Sequence, residues 1–165
     1  MTKDWRSAFL AQAGSDYDVA RALAERSDIP VSHALHYLQM TAEKVAKGFQ
    51  TAPGAAPIAR SHVAFVSFVR AAGNMPQIQH ACKIGSRRQF SAYVQSLLPL
   101  ASVLERLAPA LAGDGRNAEY PWEHDGQVTA PVEEGFLDLN VRRDPRAIKL
   151  MQFISCCVDA AREEM

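Results

Sequence analysis

The sequence predicts an all-α fold: an antiparallel up-and-down bundle of four to five helices, with a long ordered loop before the last helix. Three observations carry that expectation. Apolar residues recur at helical spacing through most of the chain. Helix start and stop signals, Asp near Pro at one end and Pro with Gly at the other, bracket those stretches. One irregular stretch, 112–143, carries Tyr120 and Trp122, aromatics that favour a loop packed on the bundle.

The first helical region spans Trp5 to Arg26, interrupted by Gly14, with Val19, Ala20, Leu23 and Ala24 at helical spacing. The second starts at Asp28-Ile29-Pro30, an acceptor side chain followed by a first-turn proline. It runs to Gln50, where "TAPGAAP" stops it. "ARSHVAFVSFVRAA", residues 59–72, is apolar nearly all round. Its β-branched content would suit a strand, but no partner strand is visible, so a buried helix is expected. A short helix is expected from Pro76 to Lys83. From Ser86 to Leu111 a heptad places Phe90, Val94, Leu97, Ala101, Leu104, Ala108 and Leu111 on one stripe. Pro99 inside it predicts a kink or a break, and Pro109 disturbs the last turn. Asp144-Pro145 opens the final helix, whose apolar stripe is Ala147, Leu150, Met151, Ile154, Cys157, Val158 and Ala161.

Composition bounds the function. A chain of 165 residues is read as one domain, 1–165, large enough for its own core. Lys plus Arg and Asp plus Glu are 18 each, so the formal net charge is zero. That argues against a basic nucleic-acid coat and removes one barrier to self-association. The three cysteines, Cys82, Cys156 and Cys157, imply no disulfide framework, and buried structural thiols are the default. The charged start "MTKDWRSAFL" has no signal-peptide apolar region, and no run is long enough to span a membrane. A cytoplasmic protein without membrane contact is expected.

The second helix has two unlike faces. At about 100° per residue, Leu35, Leu38, Ala42, Val45 and Phe49 cluster toward the core. His33, His36, Met40, Glu43, Lys44 and Lys47 take the opposite arc, with Tyr37 at its margin. A solvated face is the plain reading. Met40 gains little from water there, so a second interface, a dimer seam, is the sharper one.

Motifs for chemistry are sparse. His33 and His36 share a helix face, but His62, His80 and Glu43 lack ligand spacing, so no metal and no cofactor are expected. "PGAAP" and "GDGRN" lack the lysine of a phosphate loop. Two basic clusters, Lys83/Arg87/Arg88 and Arg142/Arg143/Arg146/Lys149, could meet phosphates or be ordinary surface.

The 35 residues "SDYDVARALAERSDIPVSHALHYLQMTAEKVAKGF" resemble the opening helix pair of the HEPN family (higher eukaryotes and prokaryotes nucleotide-binding). The matching positions are Asp18, Ala22, Gln39, Glu43, Lys44 and Lys47. The resemblance implies a helical bundle that usually dimerises and associates with RNA, nucleotides or a toxin–antitoxin type partner. The candidate binding residues are Glu43, Lys44 and Lys47 of that pattern, Tyr120 and Trp122 of the loop, where Tyr120 could stack on a base, and Arg142 and Arg143 of the second basic cluster. Many members are metal-independent endoribonucleases with an Arg and a His separated by four to six residues at a dimer cleft. In such a site His moves protons and Arg stabilises charge on the phosphate. Here Arg116-Asn117 opens that motif, but His124 comes after seven intervening residues, with Pro121 among them. Arg26 and His33 fit the spacing but sit at a helix junction. The motif is therefore expected not to be intact. If the chain is catalytic, Arg116, Asn117 and His124 carry the chemistry. A structural protein–protein interaction module is the remaining alternative.

Overall fold

In a computed structural model the protein is a helical bundle, described over residues 4–56 and 62–164. Four long helices dominate: α1 (Trp5–Ala24), α2 (Val31–Gln50), α5 (Arg87–Glu105) and α7 (Pro145–Glu164). Shorter ones lie between them: α3 (Phe65–Ala72), α4 (Pro76–Ala81) and α6 (Pro109–Ala112). The last connection carries an antiparallel hairpin, β1 (Trp122–His124) with β2 (Gln127–Thr129), and a 3₁₀ turn at Leu137–Leu139.

Local chemistry sets these boundaries. Asp4 caps α1, its carboxylate accepting from the Ser7 N–H at 2.8 Å. Ser86 caps α5 through the Gln89 N–H, and Asp144 accepts from the Arg146 N–H at 2.8 Å at the start of α7. The expected Asp28 cap of α2 is absent. Both Asp28 oxygens hold the Arg26 guanidinium at 2.6 and 2.8 Å, and Pro30 flanks the helix without a side-chain cap. Gly14 does not interrupt α1, which ends at Ala24.

Pro99 does not break α5. Pro99 and Gln95 both lie on the exposed side, so water can satisfy the carbonyl that the missing N–H leaves over. The helix ends at Glu105, and Pro109 becomes the first residue of α6. The heptad stripe is buried from Phe90 through Ala108, with Leu111 half-buried. The helix expected over 59–72 begins only at Phe65; residues 59–61 of that span lie outside the described residues. The short helix stops at Ala81.

α2 is the central helix. It packs against α1, α3, α5 and α7, with α1 its most extensive neighbour. Leu35, Leu38, Ala42 and Val45 are fully buried. α3 drives Phe65 and Phe68 into the same core, where Phe68 stacks on Phe49 at 5.5 Å and meets Phe153 of α7 at 6.5 Å. Among the described residues no helix is long and apolar enough to cross a membrane.

Candidate functional site

Two features hold the residues singled out by the sequence: the polar arc of α2, and the excursion that follows α6.

Part of the polar arc is a seam inside the chain, and the expectation of a solvated face is corrected for Glu43, Lys44 and Lys47. Lys44 Nζ lies 2.6 Å from Asp16 of α1, whose carboxylate also accepts from Gln12 at 2.9 Å. Asp16 is buried, so its charge is matched by a cation within the helix pair. One turn on, Glu43 takes Lys47 on one oxygen at 2.6 Å and His62 Nδ1 on the other at 2.9 Å. Lys47 is only 6% exposed, because Phe9 of α1 closes over its ammonium at 6.0 Å. Burial pushes the Glu43 carboxyl up, but Lys47 and His62 outweigh it and hold it below the ordinary value. His36 reaches Glu119 of the excursion at 4.0 Å. Met40 is half-buried and His33 exposed. Glu43, Lys44 and Lys47 thus tie elements together, and the signal that could have shown this, the matching Asp16, lies 28 residues from Lys44.

Arg142 is also committed. Its guanidinium donates to the Leu23 and Ala24 carbonyls at 2.7 and 2.9 Å, closing the C-terminus of α1. Arg146 pairs with Asp144 and Arg87 with Asn74. Arg143 stays exposed. Among the described residues no ion pair involves Lys83, Arg88, Arg143 or Lys149.

The excursion, residues 113–138, is built around Arg116. Its guanidinium meets Asp138 with both terminal nitrogens, at 2.6 and 3.1 Å, and approaches Glu134 at 3.5 Å. The same group lies over the Phe136 ring at 4.6 Å. Arg116 in turn holds the Asp138 carboxyl below its usual range. Asn117 is buried, and its side-chain oxygen accepts from the Glu119 and Tyr120 N–H groups at 2.9 and 2.6 Å while its amide donates to the Gly115 carbonyl. That is an Asx turn, a structural use of Asn. Trp122 is buried, whereas Tyr120 is exposed. Asp114, Asn117, Tyr120, Trp122 and Glu123 line an open depression beside Pro109.

His124 sits where β1 ends, its side chain 83% exposed, with Asp125 beside it at 3.5 Å. Asp125 and Gly126 both have positive φ, 51° and 77°, as the tight turn requires. Helical periodicity predicts no paired strands, yet an Asp-Gly turn signal stands between "WEH" and "QVT". Within this chain Arg116 and Asn117 are therefore held in hydrogen bonds to their own excursion, and His124 stands out in solvent.

Two properties set the excursion apart. Residues 113–138 carry seven carboxylates, Asp114, Glu119, Glu123, Asp125, Glu133, Glu134 and Asp138, against the single cation Arg116. The rest of a chain with zero net charge must then be basic to the same extent. Tyr120, Val128, Val132 and Leu137 are all exposed there, Leu137 by 77% and Val128 by 71%. Among the described residues no three His, Cys, Asp or Glu side chains gather as a metal-holding group. Compared with family models, curated proteins and solved structures, the chain matches none of them.

Proposed function

We propose that this chain is a HEPN-like helical module that works as a homodimer, by binding and not by cleaving RNA. The observation that carries the reading is the concentration of exposed apolar side chains in the acidic excursion, which holds four of the seven large hydrophobics exposed among the described residues. Exposed Leu and Val beside a polar rim mark a surface that something covers. The excursion's excess of carboxylates disfavours a phosphate backbone as that cover. It favours a basic protein surface, and a second copy offers one, since the remainder of each chain is net basic. In a two-fold dimer each excursion can meet the basic face of the other copy.

The HEPN resemblance supports the same reading through α1 and α2. Its matching lysines and glutamate work inside the helix pair, as expected of a signature for a scaffold. Arg116 already has its anions in Asp138 and Glu134, which leaves it poorly placed to receive a phosphate.

The test is solution mass at micromolar concentration, with Leu137→Asp as the disrupting variant. Two chains for the parent and one for the variant are expected, and a monomeric parent overturns the dimer. Labelled RNA incubated with a chelator should stay intact. Cleavage that His124→Ala abolishes would replace this reading with a metal-independent endoribonuclease. RNA binding at low salt that disappears on Arg143→Glu would replace the protein partner with RNA.

A further inference from the structure

We propose, resting on the dimer reading above, that two copies of the chain meet reciprocally: Leu137 of each seats in the groove between α5 and α7 of the other, and Glu133 of each faces Lys149 of the other. The groove has a volume of about 250 Å³ and is lined by Ser96, Leu97 and Leu100 of α5 and by Arg146 and Lys149 of α7. Its floor is apolar, with Leu97 buried and Leu100 half-buried, while Arg146 and Lys149 stand exposed at its rim. The Ser96 hydroxyl already donates to the Tyr93 carbonyl of its own helix at 2.6 Å. Tyr93 in turn donates to the Lys149 carbonyl at 3.1 Å, which ties the two walls together. The groove is thus formed before anything enters it.

The occupant must be apolar at its centre and acidic at its edge. Leu137 is the most exposed large hydrophobic among the described residues, at 77%. A branched aliphatic side chain laid over a leucine floor is removed from water on both sides. The rims then match by charge. Glu133 and Lys149 are both exposed, and among the described residues neither takes part in an ion pair. Glu133 uses one oxygen to accept the Ala130 N–H at 3.1 Å, which holds its carboxylate in place. Such a rim pair selects the partner and the register more than it adds affinity.

The placement of the two halves points to a second copy of the chain. The 3₁₀ turn that carries Leu137 packs on both α5 and α7, the walls of the groove. Arg146 follows Leu137 by nine positions. The path between them is a tight turn in which the Asn140 carbonyl accepts the Arg143 and Asp144 N–H groups at 3.0 and 2.8 Å. Asp138, next to Leu137, has its carboxyl held down by Arg116 and further by the charge of Arg146. Glu133 lies on the other side of Leu137. It lines one depression with Gly135, and a Cβ on Gly135 would stand 3.6 Å from Leu137 Cδ2. The acidic apolar projection and the basic apolar groove are therefore neighbours on the surface. A two-fold axis between them makes two identical junctions at once and closes the assembly at two chains. On opposite faces the same halves would join head to tail and not close.

The experiment is sedimentation of the full chain over a range of concentrations, with the variants Glu133→Lys and Lys149→Glu run alone and mixed. Both side chains are exposed, so each variant should fold and melt as the parent does. The parent should be a dimer whose mass stops at two chains. Each variant alone places like charges in both junctions and should raise the dimer dissociation constant about tenfold or more. In an equimolar mixture the mixed dimer has opposite charges in both junctions, so its dissociation constant should return to within about threefold of the parent's. A monomeric parent removes the dimer reading and this pairing with it. A dimeric parent that neither variant weakens, or a mixture no tighter than the variants alone, overturns the groove as the docking site while the dimer stands. A mass that climbs past two chains overturns the two-fold closure.

Discussion

The Arg116 guanidinium grips Asp138 with both terminal nitrogens, at 2.6 and 3.1 Å, while lying over the Phe136 ring at 4.6 Å. Arg116 is thereby pinned to two residues 20 and 22 positions further along the sequence, and the excursion between them becomes a closed loop. Phe136 is fully buried, so this pin is fixed to the core.

Arg116→Ala should therefore lower stability by about 1–2 kcal/mol, the scale of a lost bidentate pair plus a cation–π contact. The loss should be local. Amide exchange and limited proteolysis should quicken across 113–138 while α1 and α2 keep their protection. Arg116→Lys keeps the charge but has neither the planar fork nor the stacking plane, so it should rescue less than half of the loss. A residue that serves only a substrate would leave these readouts unchanged.

What the sequence made legible, and what it did not, follows from the range of the forces. The stripe from Phe90 to Ala108 was readable because helical periodicity is a property of neighbouring residues. The Asp144 cap was readable for the same reason. The excursion was recognisable as an ordered loop from its aromatics, but its pin was not, since nothing local pairs Arg116 with Asp138. The polar arc of α2 failed in the same way. Lys44 and Lys47 have the spacing of a wet face, and only the arrival of Asp16 and Phe9 from α1 turns that face inward. Asp28 failed locally, because Arg26 two residues earlier outcompeted the helix for its carboxylate.

Gly48 lets α2 approach α1 closely. A Cβ placed there would come within 2.3 Å of Leu10 Cδ2 and 2.6 Å of Leu10 Cγ, and Leu10 is buried. Gly48→Ala gains about 1 kcal/mol of helix propensity. It forces the seam apart at a cost of about 1–3 kcal/mol, so the net change should be a loss of stability. In a Leu10→Ala background the clash disappears, and Gly48→Ala should then raise stability. Urea midpoints for the four proteins of the cycle measure this. The same sign in both backgrounds would show that the helices do not meet at this pair.

Glu105 caps a helix other than its own. It lies at the end of α5, is buried, and its Oε1 accepts the Phe65 and Val66 N–H groups at 2.8 and 3.0 Å. These are the first residues of α3, and Ala64 at the cap position has no side chain to offer. Glu105→Ala leaves two buried donors without their acceptor and should cost about 2–3 kcal/mol. Glu105→Gln keeps an acceptor oxygen but loses the negative charge at the positive end of α3, so it should fall between the two. Denaturant melts give the ranking, and amide exchange at Phe65 and Val66 gives its location. Equal stability of the Ala and Gln variants would remove the capping role.

Asp144 gives the fold a readable dependence on pH. The Arg146 side chain, and then the Arg146 backbone N–H, hold its carboxyl at about 2, below the ordinary 3.8. A depressed carboxyl stabilises the folded chain above its unfolded value and loses that contribution as pH falls toward the folded one. Asp144→Asn isolates the charge, because Asn caps a helix about as well as Asp. The parent should melt above the variant by a constant margin between about pH 5 and 7. That margin should shrink as pH drops below about 4 and vanish near 2. Glu43 and Asp138 are held low as well, so both proteins weaken in acid together; only the difference between their melting curves reports on Asp144. A margin that persists unchanged to pH 2 would mean that the charge of Asp144 contributes nothing to the start of α7.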